Sequence, residues 1–443
     1  MDPTLAPPSA SSRTRWLLAL CGFALIAFFA WSGVTSKGLV MALAAGALFL
    51  VRFAPRIPGH MLLVFVPLLL LTPNFAGWRY FDALVPVIVI AAWAATLRVG
   101  DRRAFELHGP GLVALAILVA PLPGLVRAES PASFLGSYKE LLVYAMVFLS
   151  LRRLVTRRTS ILLLWALPVL GLAIALELFA KTHGVGGLLA RSGFRTFYTD
   201  LVWGSSNLIA SVLLISLCGT ALIATLDSRP WVRLLLLASG AVSLEAFLIL
   251  SSRSAAVALV VFLLVLVFGL GGRFRLAASG TIIAVVAAGL SLSSGRLLVS
   301  RFADPAEYAS WAERQHLWAG AWSRFLEHPW IGIGLNQGRL QGDLMASARA
   351  HNWLLDTLME QGMIGGIVLL IAVAALSRLC WRVEVTGDPG SDHRVRVVCY
   401  AFVAAVILQS MVEPTLLSYI VTLPFLWFIA WLTMHDRTVT RAT

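Results

Sequence analysis

The string in this chain best suited to chemistry is His351-Asn352, nine intervening residues, and then Gly362-Met363-Ile364-Gly365. An imidazole can take a proton from a hydroxyl near neutral pH, which makes His351 the candidate general base. His351 closes a polar stretch and stands at the mouth of an apolar run, 352–378, at the start of a helix entering a membrane. Gly362 and Gly366 form a G-x-x-x-G pair, a spacing that lets a second helix approach closely. A histidine alone at such an interface is more often structural than catalytic; four arginines change that reading. Arg191 and Arg195 lie four apart in the polar segment 182–203. Arg253 sits in Ser251-Ser252-Arg253-Ser254 between two apolar runs, and Arg314 lies in the long polar segment 294–351. Guanidinium groups converging on one face suit a polyanion, most simply a phosphate or pyrophosphate, which they bind bidentately. Each has a plainer reading as a snorkelling anchor or a lipid-headgroup contact. That reading is hardest for Arg253, because a lone arginine in so apolar a setting is costly. Arg301, Arg339 and Arg349 read as ordinary solvated charges.

Other chemistries find less support. Asp200, Glu313 and Asp343 are the notable acids of the same segments, and no pair of them has metal-ligand spacing. No D-x-D motif is present to hold a divalent ion on a nucleotide sugar, which weighs against a metal-dependent glycosyltransferase; no metal site and no cofactor is expected. Cys21, Cys218, Cys380 and Cys399 form no C-x-x-C pair and lie in or beside apolar runs, so they read as buried thiols. No phosphate-binding P-loop appears.

The elements that must carry these residues are membrane helices. Hydrophobic residues make up 59% of the chain and charged residues 13%, against roughly 25% charged in soluble domains. A surface so poor in charge suits lipid and not water. Spans of about 20 apolar residues cross a bilayer as helices, and the alternating ten-residue pattern of a membrane barrel is missing. Apolar runs fall at 16–31, 37–53, 60–72, 79–97, 111–126, 138–151, 160–181, 204–226, 231–250, 254–270, 276–293, 352–378, 396–413 and 416–434. The run 60–72 is too short to span alone, and 231–270 is interrupted only at 251–254. The expectation is therefore an all-α polytopic membrane protein with about 12 transmembrane helices, in a range of 12–14. The first run lacks a small-residue cleavage site and reads as a retained helix.

Basic residues set the orientation. With the N-terminus inside, 21 of the 35 lysines and arginines fall on inner connections and eight on short outer ones. The positive-inside rule then puts both termini in the cytoplasm. The net charge of +13 reflects this placement at span ends and not a nucleic-acid-binding face. The organisation expected is a cytoplasmic N-terminus at 1–15, a transmembrane bundle at 16–293 with a short outer loop at 182–203, a large outer loop at 294–351, C-terminal helices at 352–434, and a cytoplasmic tail at 435–443. Loops as long as 294–351 are usually functional. Within it, Pro305 to His328 reads as a helix, with Trp311, Trp318, Trp322 and Phe325 on one face. That stripe suits either a helix lying on the membrane surface or packing against the bundle. Pro329 stops the helix, and Gly332 and Gly334 make the turn after it flexible.

His351-Asn352-x9-Gly362-x2-Gly365 resembles the signature of O-antigen ligases, H-[NSQ]-x9-G-x2-[GTY], and matches it at every position. The run opening Gly204-Ser205-Ser206-Asn207, the Ser-Arg-Ser at 252–254, and Arg314-x3-Trp318 leading to His328-Pro329-x2-Gly332-x-Gly334 resemble the wider ligase and polymerase superfamily. The resemblance covers about 185–380 and is architectural before that. It implies transfer of O-antigen polysaccharide from undecaprenyl pyrophosphate to a sugar hydroxyl of lipid A-core, on the periplasmic face of the bacterial inner membrane, without ATP or metal and with inversion. By the same resemblance His351 is the general base. Arg191, Arg195, Arg253 and Arg314 hold the pyrophosphate, and Asn352, Gly362 and Gly365 support the motif. The implied partners are the lipid-linked polymer, lipid A-core and membrane lipids.

Relatives using the same donor with another acceptor, O-antigen polymerases and protein O-oligosaccharyltransferases, remain alternatives. The former usually show two comparable outer loops, and the latter often carry an additional soluble region after the last span. A lipid or polysaccharide transporter is the alternative from another class. Against it, the halves show no internal repeat, and the charges that come nearest the middle of a span, Glu177 and Glu245, still sit nearer the ends.

Overall fold

The computed structural model describes residues 109–181, 206–272, 306–337, 350–413 and 415–436, with scattered positions between 275 and 302. The four apolar runs before residue 100, the loop 182–203 with Arg191 and Arg195, and most of the run 276–293 lie outside the described residues. The chain divides into two compact units, and the helices below belong to the second, residues 107–148 and 156–443, except for the last turns of α2.

The described residues form an all-α, multi-pass membrane bundle with no β-strand, apart from one isolated bridge between Val383 and Asp436. Its helices are α1 (Pro110–Val119), α2 (Pro131–Leu154), α3 (Arg157–Lys181), α4 (Ser206–Leu226), α5 (Pro230–Leu250), α6 (Arg253–Gly269), α7 (Ala306–Glu327), α8 (Trp353–Arg382), α9 (Pro389–Val412) and α10 (Tyr419–Met434). Seven described segments are long and apolar enough to cross a membrane, and Arg253–Gly269 and Ile420–Met434 are shorter apolar helices. The 21 residues of α4 rise about 32 Å at ~1.5 Å each, enough for a hydrocarbon core of ~30 Å. Its neighbours α3, α5, α9 and α10 surround it, and it is the most deeply buried of the spans. Leu162, Val169 and Leu176 on α3, and Leu234, Leu235 and Leu237 on α5, remain exposed. In lipid such faces carry no cost, which is why the sequence needs no polar cover over them.

Boundaries follow local chemistry. Proline stands at the start of α1, α5 and α9, where its missing N–H costs nothing. The apolar run 111–126 is divided, because Pro121 and Pro123 convert its second half into the 3-10 helix Leu122–Arg127. Helices α2 and α9 begin earlier than their apolar runs, since Ser133, Gly136 and Ser137 in α2 and the polar first turn of α9 interrupt the apolar pattern without ending the helix. Ser251, in the left-handed region at φ 50°, ends α5 and lets the chain turn back into α6, so 231–270 is two helices and not one.

Hydrogen bonds at both ends fix how the helices alternate. His393, in the first turn of α9, pairs with the carbonyl of Gly269 at the end of α6 (3.2 Å), and Arg157, starting α3, donates to the carbonyls of Glu384 and Val385 after α8. These contacts define one end. The other end holds the starts of α2, α4, α6 and α8 and the close of α9. It carries His351, Arg253, Asn207 and Glu413.

Candidate functional site

His351 is built into its place from both sides. Asn352 is the N-cap of α8, its side-chain oxygen accepting from the amide of Leu355 (3.1 Å). On the other side, Asp356 accepts from the amide of Ala350 (2.7 Å), its carboxylate sitting in the first turn where the helix dipole favours it. Between these anchors His351 adopts φ 50°. A non-glycine residue in the left-handed region costs about 1–3 kcal/mol and persists only where its surroundings over-determine it. The expected position at the mouth of the helix is therefore met, one residue before the cap.

The glycines of the motif do something other than admit a neighbouring helix, which corrects the reading of Gly362 and Gly366 as a helix-packing pair. At Gly362 (φ 64°, ψ −160°) α8 breaks its helical geometry. A Cβ there would lie 2.4 Å from the carbonyl carbon of Trp330, so only glycine admits the turn after α7. The broken helix frees backbone groups that the turn satisfies: the Met363 amide donates to the Pro329 carbonyl (2.7 Å), Ile333 to Met359 (3.0 Å) and Gly334 to Glu360 (2.9 Å). A Cβ on Gly365 would lie 2.4 Å from the Gln361 Cβ, and one on Gly366 would meet Leu358 of the same helix. Nor is the turn loose at Gly332 and Gly334: Asn336 donates its amide to Glu360 (3.0 Å) and its side chain to Ser133 (2.9 Å). Gln337 accepts from the Ser130 amide (3.0 Å) and returns a bond to its carbonyl (3.2 Å). Arg127 donates to His328 Nδ1 at 2.6 Å. The pattern His328-Pro329-x2-Gly332-x-Gly334 thus ties α7 to α8 and to the start of α2.

Helix α7 matches the expected 305–328 closely. Its tryptophan stripe divides. Trp318 packs with Ala321 against Leu355 and Met359 of α8, with Ile333 and Ala350 completing the cluster, and Phe325 is buried, while Trp322 stays exposed. Packing on the bundle therefore accounts for Trp318 and Phe325.

One turn before Trp318, Arg314 reaches the C-terminus of α9. Its Nη1 donates to the Val412 carbonyl (2.8 Å) and its Nη2 to Glu413 Oε2 (3.0 Å). A cation here satisfies a terminal carbonyl and complements the negative helix end. The other oxygen of Glu413, Oε1, stands 3.3 Å from His351 Nδ1. The carboxylate is thus shared between Arg314 and His351. The Glu413 and Arg314 side chains are 14% and 19% exposed, while that of His351 is 38% exposed; the histidine is the member open to an incoming group. Arg253, at the first position of α6, lies at the same end. Beside it Ser252 donates to Asn207 Oδ1 (2.8 Å), joining the Ser-Arg-Ser string to the one opening α4. A helix N-terminus and a guanidinium there both favour an anion.

Sequence reasoning missed Glu413. The available signal was an ionisable residue, followed by Pro414, in the tight connection between two apolar runs. It also missed the cavity of about 280 Å³ along α8, between α1, α2 and α10. Trp353, Asp356 and Glu360 line it nearest the site, and Leu369, Leu376 and Ile429 carry it into the apolar depth. Cys218, Cys380 and Cys399 are buried free thiols, as read from the sequence. Among the described residues no group of three or more histidine, cysteine or acidic side chains is arranged to hold a metal ion.

Residues 238–370 match the family model described as O-antigen ligase. The matched span, under a third of the chain, includes Arg253, Arg314 and the whole His351–Gly365 string, so this segment is similar to O-antigen ligases. No curated protein matches the chain.

Proposed function

We propose that this protein joins O-antigen polysaccharide, carried on undecaprenyl pyrophosphate, to a sugar hydroxyl of lipid A-core. The observation that carries the reading is His351, cradled at the head of α8 by the motif residues with a carboxylate oxygen of Glu413 3.3 Å from its Nδ1, within a segment of O-antigen ligase type. His351 removes the proton of the acceptor hydroxyl. The oxygen then forms its bond to the anomeric carbon of the donor as the bond from that carbon to the pyrophosphate oxygen breaks, and the electron pair leaves with the pyrophosphate. In-line attack inverts the anomeric centre. Arg253, with Arg191 and Arg195, binds the pyrophosphate and stabilises the charge it gains. Arg314, committed on two nitrogens to Val412 and Glu413, adds positive charge from beside the histidine. The departing pyrophosphate supplies the driving force, so the step draws on neither ATP nor a metal ion. The apolar cavity along α8 suits a lipid chain of a substrate, with Asp356 and Glu360 among its lining nearest the site.

The reading places the protein in the bacterial inner membrane with this end in the periplasm. The arginine-rich end, with Arg157, Arg229, Arg233, Arg382 and Arg394, then faces the cytoplasm with both termini. Residues 182–203 and 294–351 form the periplasmic loops, and 16–293 and 352–434 the spans. The test is His351→Ala in a ligase-null strain, with protein level checked. Loss of the lipopolysaccharide ladder with accumulation of undecaprenyl-linked polymer is expected. A normal ladder would return His351 to a structural role.

A further inference from the structure

We infer that Glu413 is the positioning residue of the site: it fixes the tautomer and direction of His351, and Arg314 acts through it and not as an open ligand of the donor. The inference rests on the ligase reading for its activity test, and on geometry for the rest. An ionised carboxylate only accepts hydrogen bonds, so the His351 Nδ1 facing Glu413 Oε1 at 3.3 Å must carry the proton. The neutral ring then keeps its lone pair on Nε2, the nitrogen on the far side of the ring from Glu413. A base must present this atom to an acceptor hydroxyl, and a carboxylate behind the ring stabilises the charge it acquires with the proton. The proton passes from the hydroxyl to Nε2, and Nδ1 keeps its own throughout.

Glu413 is itself held. It follows the last residue of α9, where a carboxylate meets the negative end of the helix dipole, an unfavourable place unless a cation compensates. Arg314 supplies that cation and grips the end of α9 twice, through the Val412 carbonyl and through Oε2 of Glu413, leaving Oε1 for the histidine. Trp318, one turn on, keeps α7 on α8 and so sets where that grip falls. Residues 314, 351 and 413 come from three separate segments, so the chain of contacts also reports whether α7, α8 and α9 are correctly assembled.

The test is a double-mutant cycle on the full-length protein in vesicles, with lipid-linked polymer and lipid A-core supplied. Glu413→Leu is expected to lower kcat by about 10-fold or more with KM little changed, because it removes orientation and not binding. Added to His351→Ala, it is expected to cost nothing further, since two residues acting as a unit are not additive. Glu413→Asp is expected to recover part of the loss. Independent losses in the double variant, or a change confined to KM, would overturn the role. Nitrogen-15 NMR of the imidazoles gives a readout that does not need activity: the His351 signal of the Nδ1–H form is expected in the unaltered protein and its depletion in Glu413→Leu. An unchanged tautomer would overturn the inference even if transfer were lost. An unaltered protein that transferred no polymer yet showed this tautomer shift would overturn the ligase reading alone. Equal thermal unfolding of the variants separates these outcomes from misfolding.

Discussion

The two ends of the bundle use charge differently. At the arginine-rich end four arginines make contacts that are local or to backbone: Arg229 binds Asp227 two residues away, Arg275 donates to the Leu270 carbonyl, Arg233 to the Asp227 carbonyl, and Arg157 to two carbonyls after α8. At the site end side chains meet across long stretches of chain: 314 with 413, 351 with 413, 252 with 207 and 336 with 133. His351, Gly332 and Gly362 have positive φ there. A topogenic arginine needs only to sit near a span end, so a loop suffices. A site must hold several groups at fixed separations, so it draws on the whole fold and stores strain.

Breaking the backbone of the site end should have the largest effect. Gly362→Val places a branched side chain at φ 64° and against the Trp330 backbone. The conformation alone costs about 1–3 kcal/mol, and the clash adds to it. Thermal unfolding is expected to fall by several degrees and transfer to fall with it; an unchanged melting temperature would mean that the 330–334 turn does not depend on Gly362. Arg314→Lys keeps the charge but loses the fork that joins Val412 to Glu413. Transfer is expected to drop roughly 10-fold or more, because a small misplacement of a catalytic group is costly, and thermal unfolding to fall by a few degrees, because hydrogen bonds to charged groups contribute ~1.5–3 kcal/mol to stability. Full activity would mean that charge alone is enough at this position. The smallest effect belongs to the opposite end. Asp227→Asn should leave transfer unchanged. Arg229 donates to Asp227 and holds its carboxyl below the ordinary range. Its small stabilisation is present above the carboxyl's unfolded value and is lost as pH falls through the lower folded one. Unfolding followed against pH should show that acid limb in the unaltered protein and lack it in the variant.

Much of the architecture was legible because lipid imposes a simple rule on sequence. Long apolar runs became helices α3, α4 and α5, the 306–327 helix appeared where its stripe required, and Ser251 and Ser252 divided two spans. His351 stood out because it precedes a long apolar run within the His351-Asn352-x9-Gly362-x2-Gly365 string, whereas the capping by Asn352 came only with the structure. The cause of Gly362 was not legible, since it lies in a backbone approach from Trp330, more than thirty positions earlier. Glu413 escaped for the same reason: in sequence it is one acid after an apolar run, and its meaning comes from Arg314 and His351, which only the packing of α7, α8 and α9 brings to it. The cavity along α8 was equally hidden, because its walls come from helices at opposite ends of the described chain.

The most direct measurement is polymer transfer by the purified protein in vesicles containing undecaprenyl-pyrophosphate-linked O-antigen and lipid A-core, comparing the unaltered chain with His351→Ala. The account predicts joined product and released undecaprenyl pyrophosphate from the former. It predicts a rate lower by about 100- to 10,000-fold from the latter, the span a general base contributes. Equal rates from the two, or no product from the unaltered chain with both substrates present, would contradict it.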